Sequence, residues 1–229
     1  YCGTGDPPRV VRAIPVPFDP ADARRADAVL TTHEHSDHAH GPTVGPILAA
    51  TDATYHAPGD SLARAREEGW ADDHAFDPGA FEEVSVGDRF SVGAFDVSVV
   101  AVSDPDATDP VGYVAEHDAG TVFHGGDARP DPVVERVGES FDVGVAAVAF
   151  GSVGRLPDGE GGHERVRWYC DENGAVEVAG AVGADRLLPT HWDVWRGLTA
   201  EPSVLHHHAR TFDRSRRAAT ASLVDSVSP

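Results

Sequence analysis

The sequence predicts a layered α/β domain, and three observations lead to that prediction. Apolar segments of strand length alternate along the chain with segments of helix length, which is the pattern of sheets covered by helices. Polar side chains of ligand type follow several of the apolar segments directly, as they do where strands end in such folds. The 229 residues, of which 41% are hydrophobic, suffice for one large domain with a substantial core. We therefore expect a single domain over residues 1–229.

Periodicity and turn signals predict the elements in chain order. In the first half they are a short helix at 21–27, a buried strand at 28–31, a helix at 41–50, a strand at 54–57, a helix at 62–67 capped by Asp60 and Ser61, and three strands of an antiparallel meander at 81–86, 88–92 and 95–102. In the second half they are a hairpin at 112–116 and 120–124, a strand at 143–150, a helix at 175–182 and a strand at 186–189. Strands and helices alternate in both halves, so sheets inside and helices outside are expected.

The strongest functional signal is the run Thr-His-Glu-His-Ser-Asp-His at 32–38, directly after the predicted strand at 28–31. Imidazole nitrogens and carboxylate oxygens bind borderline and hard divalent ions such as zinc, manganese and iron. Alternation sends His33 and His35 to one side and turns Asp37 and His38 toward a second position, which suits two metals close together. A His-rich surface loop that binds nothing is the alternative, and chance rarely gives it this spacing. The run predicts a metal site.

Two later strand ends supply further candidate ligands. Asp127 follows Gly125 and Gly126, whose lack of side chains allows a close approach, and its two oxygens could bridge two ions. His191 follows a Pro-Thr pair at the end of the last predicted strand. Taken alone, each has a structural alternative, a turn-capping Asp and a core histidine. Beside the histidine motif, both are predicted to be ligands.

The charge of the chain indicates a high-salt environment rather than a particular function. The formal net charge is −20, all 18 basic residues are Arg, and Asp outnumbers Glu by 25 to 13. A Lys-free, Asp-rich surface is typical of halophilic proteins, because concentrated salt screens their self-repulsion. An acidic surface that attracts cationic partners is the weaker alternative. Without Lys or a basic stripe, nucleic-acid binding is not expected.

Cysteine content and hydropathy indicate the compartment. Cys2 and Cys170 are too few for a disulfide framework and are predicted to be free thiols in a reducing cytoplasm. No apolar run reaches the length of a membrane span, and no signal peptide is recognisable. We therefore expect a cytoplasmic protein with a small-molecule substrate and no membrane partner, while a homo-oligomer is left open. The chain has no Met, so its natural start is expected to lie upstream.

The order of these motifs resembles that of the metallo-β-lactamase superfamily and, more narrowly, the L-ascorbate-6-phosphate lactonase family. The resemblance covers nearly the whole chain, and the superfamily motif is more specific than the shorter lactonase signals. The similar segments lie at 1–5, 18–20, 27–38, 113–114, 124–127, 141–143 and 191–195. The resemblance implies a four-layer αβ/βα sandwich with metals at one edge. Because the relatives carry a strand pair before the segment at 1–5, this chain is expected to lack those N-terminal strands.

The resemblance also implies the role of each ligand. His33 and His35 would hold the first metal, Asp37, His38 and His191 would hold the second, and Asp127 would bridge them. One or two divalent ions are therefore expected, manganese or zinc, with iron also suited to such ligands.

One ligand position departs from the superfamily pattern. A further His usually follows the strand that ends near Val102, whereas this chain has Ser-Asp-Pro-Asp-Ala-Thr at 103–108. The lactonase family similarly has Asp-x-Thr there, which matches Asp106 and Thr108. Asp106 is therefore the predicted replacement, with Asp104 as the alternative. Incomplete occupancy of the first site is expected if neither binds.

The leading functional prediction is a metal-dependent hydrolase that opens a lactone or related ester. A metal-bound hydroxide would attack the carbonyl, the metal would stabilise the oxyanion, and Asp37 would orient or deprotonate the nucleophile. The alternatives are a phosphodiesterase and a catalytically idle metal-binding or regulatory relative. Arg155 and Arg196 are weak candidates for a phosphate contact. The three histidines at 206–208 are expected on a surface helix.

Overall fold

The computed structural model of the chain describes residues 3–4, 10–16, 18–211 and 217–218. Contacts divide the chain into two compact units. The first unit comprises Val16–Ala101 and Pro105–Ala115, and the second comprises Cys2–Pro15, Val102–Asp104 and Glu116–Pro229. A single domain over 1–229 stays a prediction. Cys2 and most of the segment at 1–5 lie outside the described residues.

The described part of the chain contains strands and helices in alternation. In chain order they are β1 (Gly3–Thr4), β2 (Val10–Val11), β3 (Ala28–Leu30), α1 (Gly41–Ala50), β4 (Thr54–Ala57), α2 (Gly59–Glu67), α3 (Trp70–His74), β5 (Phe81–Glu83), β6 (Arg89–Val92), β7 (Phe95–Ala101), β8 (Val111–His117), β9 (Gly120–His124), α4 (Pro132–Ser140), β10 (Val145–Ala149), β11 (Gly154–Pro157), β12 (His163–Val166), α5 (Glu172–Ala181), β13 (Arg186–Thr190), α6 (Ser203–Thr211) and β14 (Arg217–Ala218).

The first unit is built on a parallel sheet with helical crossovers. Its strand order is β3-β4-β5, and both pairs are parallel. Parallel neighbours need a long connection, which α1 supplies before β4 and α2 with α3 supply before β5. Tyr55, Leu62 and Trp70 are almost fully buried against this sheet. Beyond β5, β6 and β7 pair antiparallel, and β8 lies next to β7.

The second unit repeats this plan. Its parallel strands have the order β14-β13-β10-β9, with α4, α5 and α6 in the connections. β10 reads Val-Ala-Ala-Val-Ala and is buried at every residue, as expected for a parallel strand covered on both faces. β1 pairs with β2, and β11 pairs with β12, as two small antiparallel ribbons.

Several predicted elements agree closely with the structure. The helix at 41–50 and the strand at 54–57 have the predicted bounds. The hairpin partners β8 and β9 and the strands β10 and β13 lie where the apolar runs predicted them. The predicted helix around 206–208 is α6. Alternation and turn residues were sufficient in these segments because the local preference and the tertiary structure coincide.

Other predicted elements were wrong in part. Residues 21–27 form no α-helix, because Asp19 caps only a 3-10 turn at Pro20–Asp22. β3 is less buried than predicted, with Leu30 37% exposed. α2 is preceded by Pro58 with no side-chain cap, since Ser61 is fully buried within the helix. β5 ends at Glu83 and pairs in parallel with β4, so it does not belong to a meander with β6 and β7.

No helix in the described part of the chain is long and apolar enough to cross a lipid bilayer.

Candidate metal centre

The histidine motif begins where β3 ends, and two hydrogen bonds fix its first residues. The Tyr113 hydroxyl donates to the Thr31 carbonyl oxygen at 2.7 Å. The Val111 amide donates to the Thr32 carbonyl oxygen at 2.9 Å. His33, which follows, is 1% exposed. The backbone held at Thr31 and Thr32 therefore delivers the first histidine into the interior of the first unit.

His33 and His35 present ring nitrogens to each other. His33 Nε2 lies 3.0 Å from His35 Nδ1. The other nitrogen of His35, Nε2, lies 2.9 Å from the carbonyl oxygen of Asp106. Because a carbonyl oxygen only accepts, the proton of a neutral His35 resides on Nε2, and Nδ1 offers a lone pair toward His33. Such a contact to a backbone carbonyl is typical of metal-ligating histidines.

The spacing of these two nitrogens fits metal ligands. Two nitrogens bound to a tetrahedral zinc at about 2.0–2.1 Å lie roughly 3.3 Å apart. The observed separation of 3.0 Å is close to that value. A direct hydrogen bond between the rings also gives 3.0 Å, so the distance is compatible with a metal and does not require one. The donor chemistry and the spacing both fit a divalent ion.

Thr32 connects two histidines of the motif. Its hydroxyl lies 3.0 Å from His33 Nδ1 and 3.3 Å from His38 Nδ1. When both rings carry a proton on Nδ1, the hydroxyl oxygen accepts from both, and both Nε2 atoms are available to a metal. Asp37 and His38 offer ligand atoms within 4.8 Å of each other and are both half-buried. The motif therefore contains two pairs of neighbouring donors.

The second unit brings two carboxylates together. Asp127 follows β9 through Gly126, which adopts a left-handed φ of 58°, and its carboxylate lies within 4.8 Å of that of Asp104. Both residues are 6% exposed. The Arg129 amide donates to the Ser103 carbonyl oxygen at 2.8 Å, which holds the two segments side by side. Two buried carboxylates this close repel each other, and a shared cation removes that repulsion.

His191 lies beside Asp127 at the carboxyl end of the same parallel sheet. Its Nε2 is 3.6 Å from Asp127 Oδ1, and its Nδ1 is 3.3 Å from the Thr190 hydroxyl. The ring packs on Tyr169 with centroids 4.7 Å apart. His191 has a φ of 65°, a conformation that costs a non-glycine residue roughly 1–3 kcal/mol and is common at functional sites. The strained backbone and the closeness to Asp127 are therefore two independent observations that favour a functional role for the His191 side chain.

Asp104 and Asp106 have different surroundings. Asp104 is buried beside Asp127, whereas Asp106 is exposed and contacts His35 through its carbonyl oxygen. A carboxylate that ligates a metal is normally shielded by its neighbours. The burial favours Asp104 over the predicted Asp106 as the ligand that replaces the missing histidine.

Glu34 was not predicted as a site residue, although it stands between two predicted ligands. One of its carboxylate oxygens, Oε1, accepts from the Thr108 amide and from the Thr108 hydroxyl, both at 3.0 Å. Burial raises the pKa of the Glu34 carboxyl, but hydrogen bonds from its own backbone and from Thr108 outweigh burial and leave the pKa below its ordinary value. Glu34 is therefore an ionised hydrogen-bond acceptor at neutral pH.

A cleft of about 320 Å³ lies within the second unit. Its lining includes Arg129, Arg167 and Tyr169, the residue whose ring packs on His191. Cys170 also lines it, and burial raises the pKa of this free thiol to about 12. Arg155 and Arg196, the arginines singled out in the sequence, are both exposed and do not line this cleft.

The three histidines of α6 lie away from the predicted ligands in sequence and contact other groups. His208 Nε2 is 2.7 Å from the side-chain oxygen of Asn173. His207 is exposed. The surface helix was correctly predicted, and no described group of candidate metal ligands includes its histidines.

Comparisons with known proteins agree with this arrangement. A family model described as "Beta-lactamase superfamily domain" matches residues 6–192. A probable L-ascorbate-6-phosphate lactonase UlaG from Escherichia coli strain SMS-3-5 is 24% identical over 207 residues, covering 84% of this chain. The chain spans only 56% of the length of that relative.

Solved structures show the same fold at low identity. Igni18, described as a novel metallo hydrolase from Ignicoccus hospitalis, has a TM-score of 0.67 and 16% identity, covering 88% of this chain and 78% of its own. CmlA, a diiron β-hydroxylase from Streptomyces venezuelae, has a TM-score of 0.65 and 17% identity, covering 87% of this chain and 44% of its own. The predicted α/β fold of the metallo-β-lactamase type is confirmed, while the two described activities differ.

Proposed function

Since the chain belongs to the β-lactamase superfamily domain family, we propose that it is a metal-dependent hydrolase that opens a lactone or a related ester. The observation that carries the proposal is the pair of facing nitrogens, His33 Nε2 and His35 Nδ1, 3.0 Å apart, with the far side of His35 held by a carbonyl oxygen. This is the arrangement of a ligand pair with its supporting hydrogen bond.

The proposed ligand sets follow the family pattern. By the resemblance, His33, His35 and Asp104 would hold one ion, and Asp37, His38 and His191 would hold a second. Asp127 would contribute to both, and its closeness to Asp104 and to His191 within the second unit supports this role. The metals that suit imidazole and carboxylate together are manganese, zinc and iron.

The chain's own residues supply the remaining chemistry. A divalent ion in this centre would lower the pKa of water and polarise an ester carbonyl. Asp37, half-buried within the motif, orients the attacking water and accepts its proton. The proton then passes to the alkoxide that leaves when the ring C–O bond breaks, so the product is a hydroxy acid. His191 contributes a nearby dipole that stabilises the developing negative charge.

The substrate class rests on the similarity to the probable lactonase and on the cleft lined by Tyr169, whose ring packs on His191. At 24% identity over part of the relative, the similarity supports lactones and related esters as a substrate class rather than one compound. The cleft has the volume of a small-ligand pocket, and we place the non-reacting part of the substrate there. Arg129 and Arg167 at its wall favour a polar or anionic substituent.

A catalytically idle relative is the second candidate, and one specific observation favours it. An aspartate stands at the position where the superfamily usually has a third histidine, and a carboxylate in place of an imidazole changes the charge and the Lewis acidity of an ion at that site. Such a protein would still bind metal but would hydrolyse neither esters nor phosphodiesters.

Hydrolysis assays separate these candidates. The metal-reconstituted protein is offered a panel of γ- and δ-lactones and, separately, bis(p-nitrophenyl) phosphate. We expect lactone opening that falls by about 10²–10⁴-fold in Asp37→Asn, with wild-type rates in Asp72→Asn, where an exposed aspartate of α3 is changed in the same way. Cleavage of the phosphodiester alone would assign the phosphodiesterase instead. If the metal-loaded protein turns over neither substrate, the catalytically idle relative is the remaining candidate.

A further inference from the structure

Hydrogen bonds to residues 34 and 35 connect the histidine motif to two other segments of the first unit. The Glu34 carboxylate binds Thr108, the Glu34 carbonyl oxygen binds Arg64, and the His35 ring binds the Asp106 carbonyl oxygen. Both Asp106 and Thr108 belong to the loop before β8, and Arg64 belongs to α2. The motif is thus fixed from two directions.

We propose that Glu34, Arg64 and Thr108 form a positioning group that sets the orientation of His35 toward the metal. Resting on the proposed metal centre, this inference assigns a role to three residues that ligate nothing themselves. The hydrogen bonds from Thr108 to Glu34 fix the loop at residue 108, two residues after the carbonyl oxygen that holds the His35 ring. If the loop moves, that oxygen moves, and the ring loses its orientation.

Arg64 fixes the other side of the motif. Its Nη1 donates to the Glu34 carbonyl oxygen at 2.7 Å, and its Nε donates to Glu68 Oε1 at 2.9 Å. The second oxygen of Glu68 accepts from the Trp70 indole at 2.8 Å, and Trp70 is 2% exposed. A chain of three hydrogen bonds therefore ties the motif backbone to the buried core. The planar fork of Arg allows one side chain to make two of these bonds at once.

The contacts of Glu34 fit this role. Its carboxylate oxygen Oε1 is held by Thr108, and no group of candidate metal ligands in the described residues includes Glu34. Supporting groups of this kind typically account for about 10–100-fold in metal affinity or activity.

Metal affinity measured by chelator competition with Zn²⁺ and with Mn²⁺ alone tests the proposal. Glu34→Ala and Thr108→Val are expected to weaken binding by about 10-fold or more. Glu34→Gln retains an oxygen that accepts from Thr108 and is expected to bind within about two-fold of wild type, as is Thr108→Ser. The double variant Glu34→Ala with Thr108→Val is expected to lose no more than Glu34→Ala alone, since Glu34→Ala removes both hydrogen bonds with residue 108 and Thr108→Val removes only the one from the hydroxyl.

Matched controls separate positioning from general damage. Arg64→Lys is expected to weaken metal binding, whereas Arg66→Lys, on the same helix and exposed, is expected to leave it unchanged. The unfolding midpoint of each metal-free variant is measured in parallel, because a merely structural role would lower the midpoint and leave the affinity of the folded protein intact. Failure of wild type to bind either ion overturns the proposed function. Wild-type binding that Glu34→Ala and Thr108→Val leave unchanged overturns this inference alone.

Discussion

At the scale of single residues, the Thr32 hydroxyl illustrates how the site depends on side chains that ligate nothing. It lies within hydrogen-bond distance of both His33 and His38 and is 5% exposed. A hydroxyl oxygen can accept from both rings and so fix the proton of each on Nδ1. The same side chain thereby affects one histidine of each proposed ligand pair.

We expect Thr32→Val to weaken metal binding by about 10-fold, because valine keeps the shape of threonine but cannot accept a hydrogen bond. Titration calorimetry with Zn²⁺ measures the change. Thr32→Ser should restore most of the affinity, and Thr121→Val, a half-buried threonine of β9, should retain it. Equal affinity of Thr32→Val and wild type would show that the hydroxyl is not needed to orient the rings.

The candidate ligands could be predicted from the sequence, whereas their supporting residues could not. Three imidazoles and a carboxylate within six positions can be recognised as candidate metal ligands from residue type and spacing alone. Glu34 and Arg64 cannot be recognised in this way, because their roles depend on contacts with residues 74 and 30 positions away. The choice between Asp104 and Asp106 also depended on burial, which two similar carboxylates in one loop do not reveal.

At the scale of elements, the contact between α1 and α3 depends on the absence of a side chain. A Cβ at Gly41 would lie 2.6 Å from the Trp70 indole nitrogen, and one at Gly45 would overlap the His74 ring. The two glycines let α3 pack closely against the helix that directly follows the histidine motif. Glycine inside a helix normally destabilises it by about 1 kcal/mol relative to alanine. The close packing of α3 therefore explains why α1 contains glycine at these two positions.

Gly45→Ala is therefore expected to lower the free energy of unfolding by about 1 kcal/mol or more, despite the better helix propensity of alanine. Urea denaturation measures the change. Adding His74→Ala removes the overlapping ring, so the double variant should be more stable than the two single changes predict when summed. A Gly45→Ala protein more stable than wild type would show that propensity, and not packing, decides at this position.

The β4–β6 region contains a histidine whose titration is linked to folding. His56 stacks on Phe90 with centroids 4.1 Å apart, and burial lowers its pKa below the ordinary 6.5, although Glu82 opposes the shift. As pH falls below 6.5, the unfolded chain binds a proton that the folded chain does not. The contribution of His56 to stability is therefore lost as pH falls from that value toward its folded pKa.

Replacing His56 by Phe should remove this component of the pH dependence while retaining an aromatic ring against Phe90. The free energy of unfolding of wild type should fall more steeply than that of His56→Phe between about pH 7 and about pH 5. His207→Gln, at an exposed histidine, should follow wild type. Parallel curves for wild type and His56→Phe would mean that folding does not perturb this imidazole.

Element prediction succeeded where local signals agreed with the tertiary structure. α1 has the predicted bounds, since its glycine start and the polar segment after it mark both ends. β5 was assigned to the wrong sheet because three successive alternating runs resemble a meander, and nothing local distinguishes a parallel partner from an antiparallel one. α4 and the β11–β12 ribbon were not predicted, although Asp131 caps α4 and Val134 and Val137 form its buried face.

At the scale of the whole molecule, the dominant property is charge. A formal net charge of −20 on 229 residues creates repulsion that acts on the folded state, and salt screens it with a Debye length of about 10 Å at 0.1 M. The ion pair Arg25–Asp27 is exposed on both sides. Such exposed pairs contribute little to stability.

We expect the unfolding midpoint to rise with KCl concentration between about 0.1 M and about 2 M. A rise of at least about 4 °C corresponds to roughly 2 kcal/mol for a chain of this size. Differential scanning calorimetry measures it, and KCl is preferred to sulfate because sulfate stabilises most proteins. A midpoint that stays constant or falls would contradict adaptation of this surface to high salt.

Metal content tests the central claim most directly. Wild type, Asp127→Ala and the exposed control Asp72→Ala are reconstituted with manganese and with zinc. Unbound metal is removed by gel filtration in a high-salt buffer, and the bound metal is measured by inductively coupled plasma mass spectrometry. Our account predicts one or two ions per chain in wild type and in Asp72→Ala, and a clear loss in Asp127→Ala, because Asp127 is the carboxylate near both Asp104 and His191. Wild-type protein that retains no ion after reconstitution would contradict the metal centre and the hydrolase proposed from it.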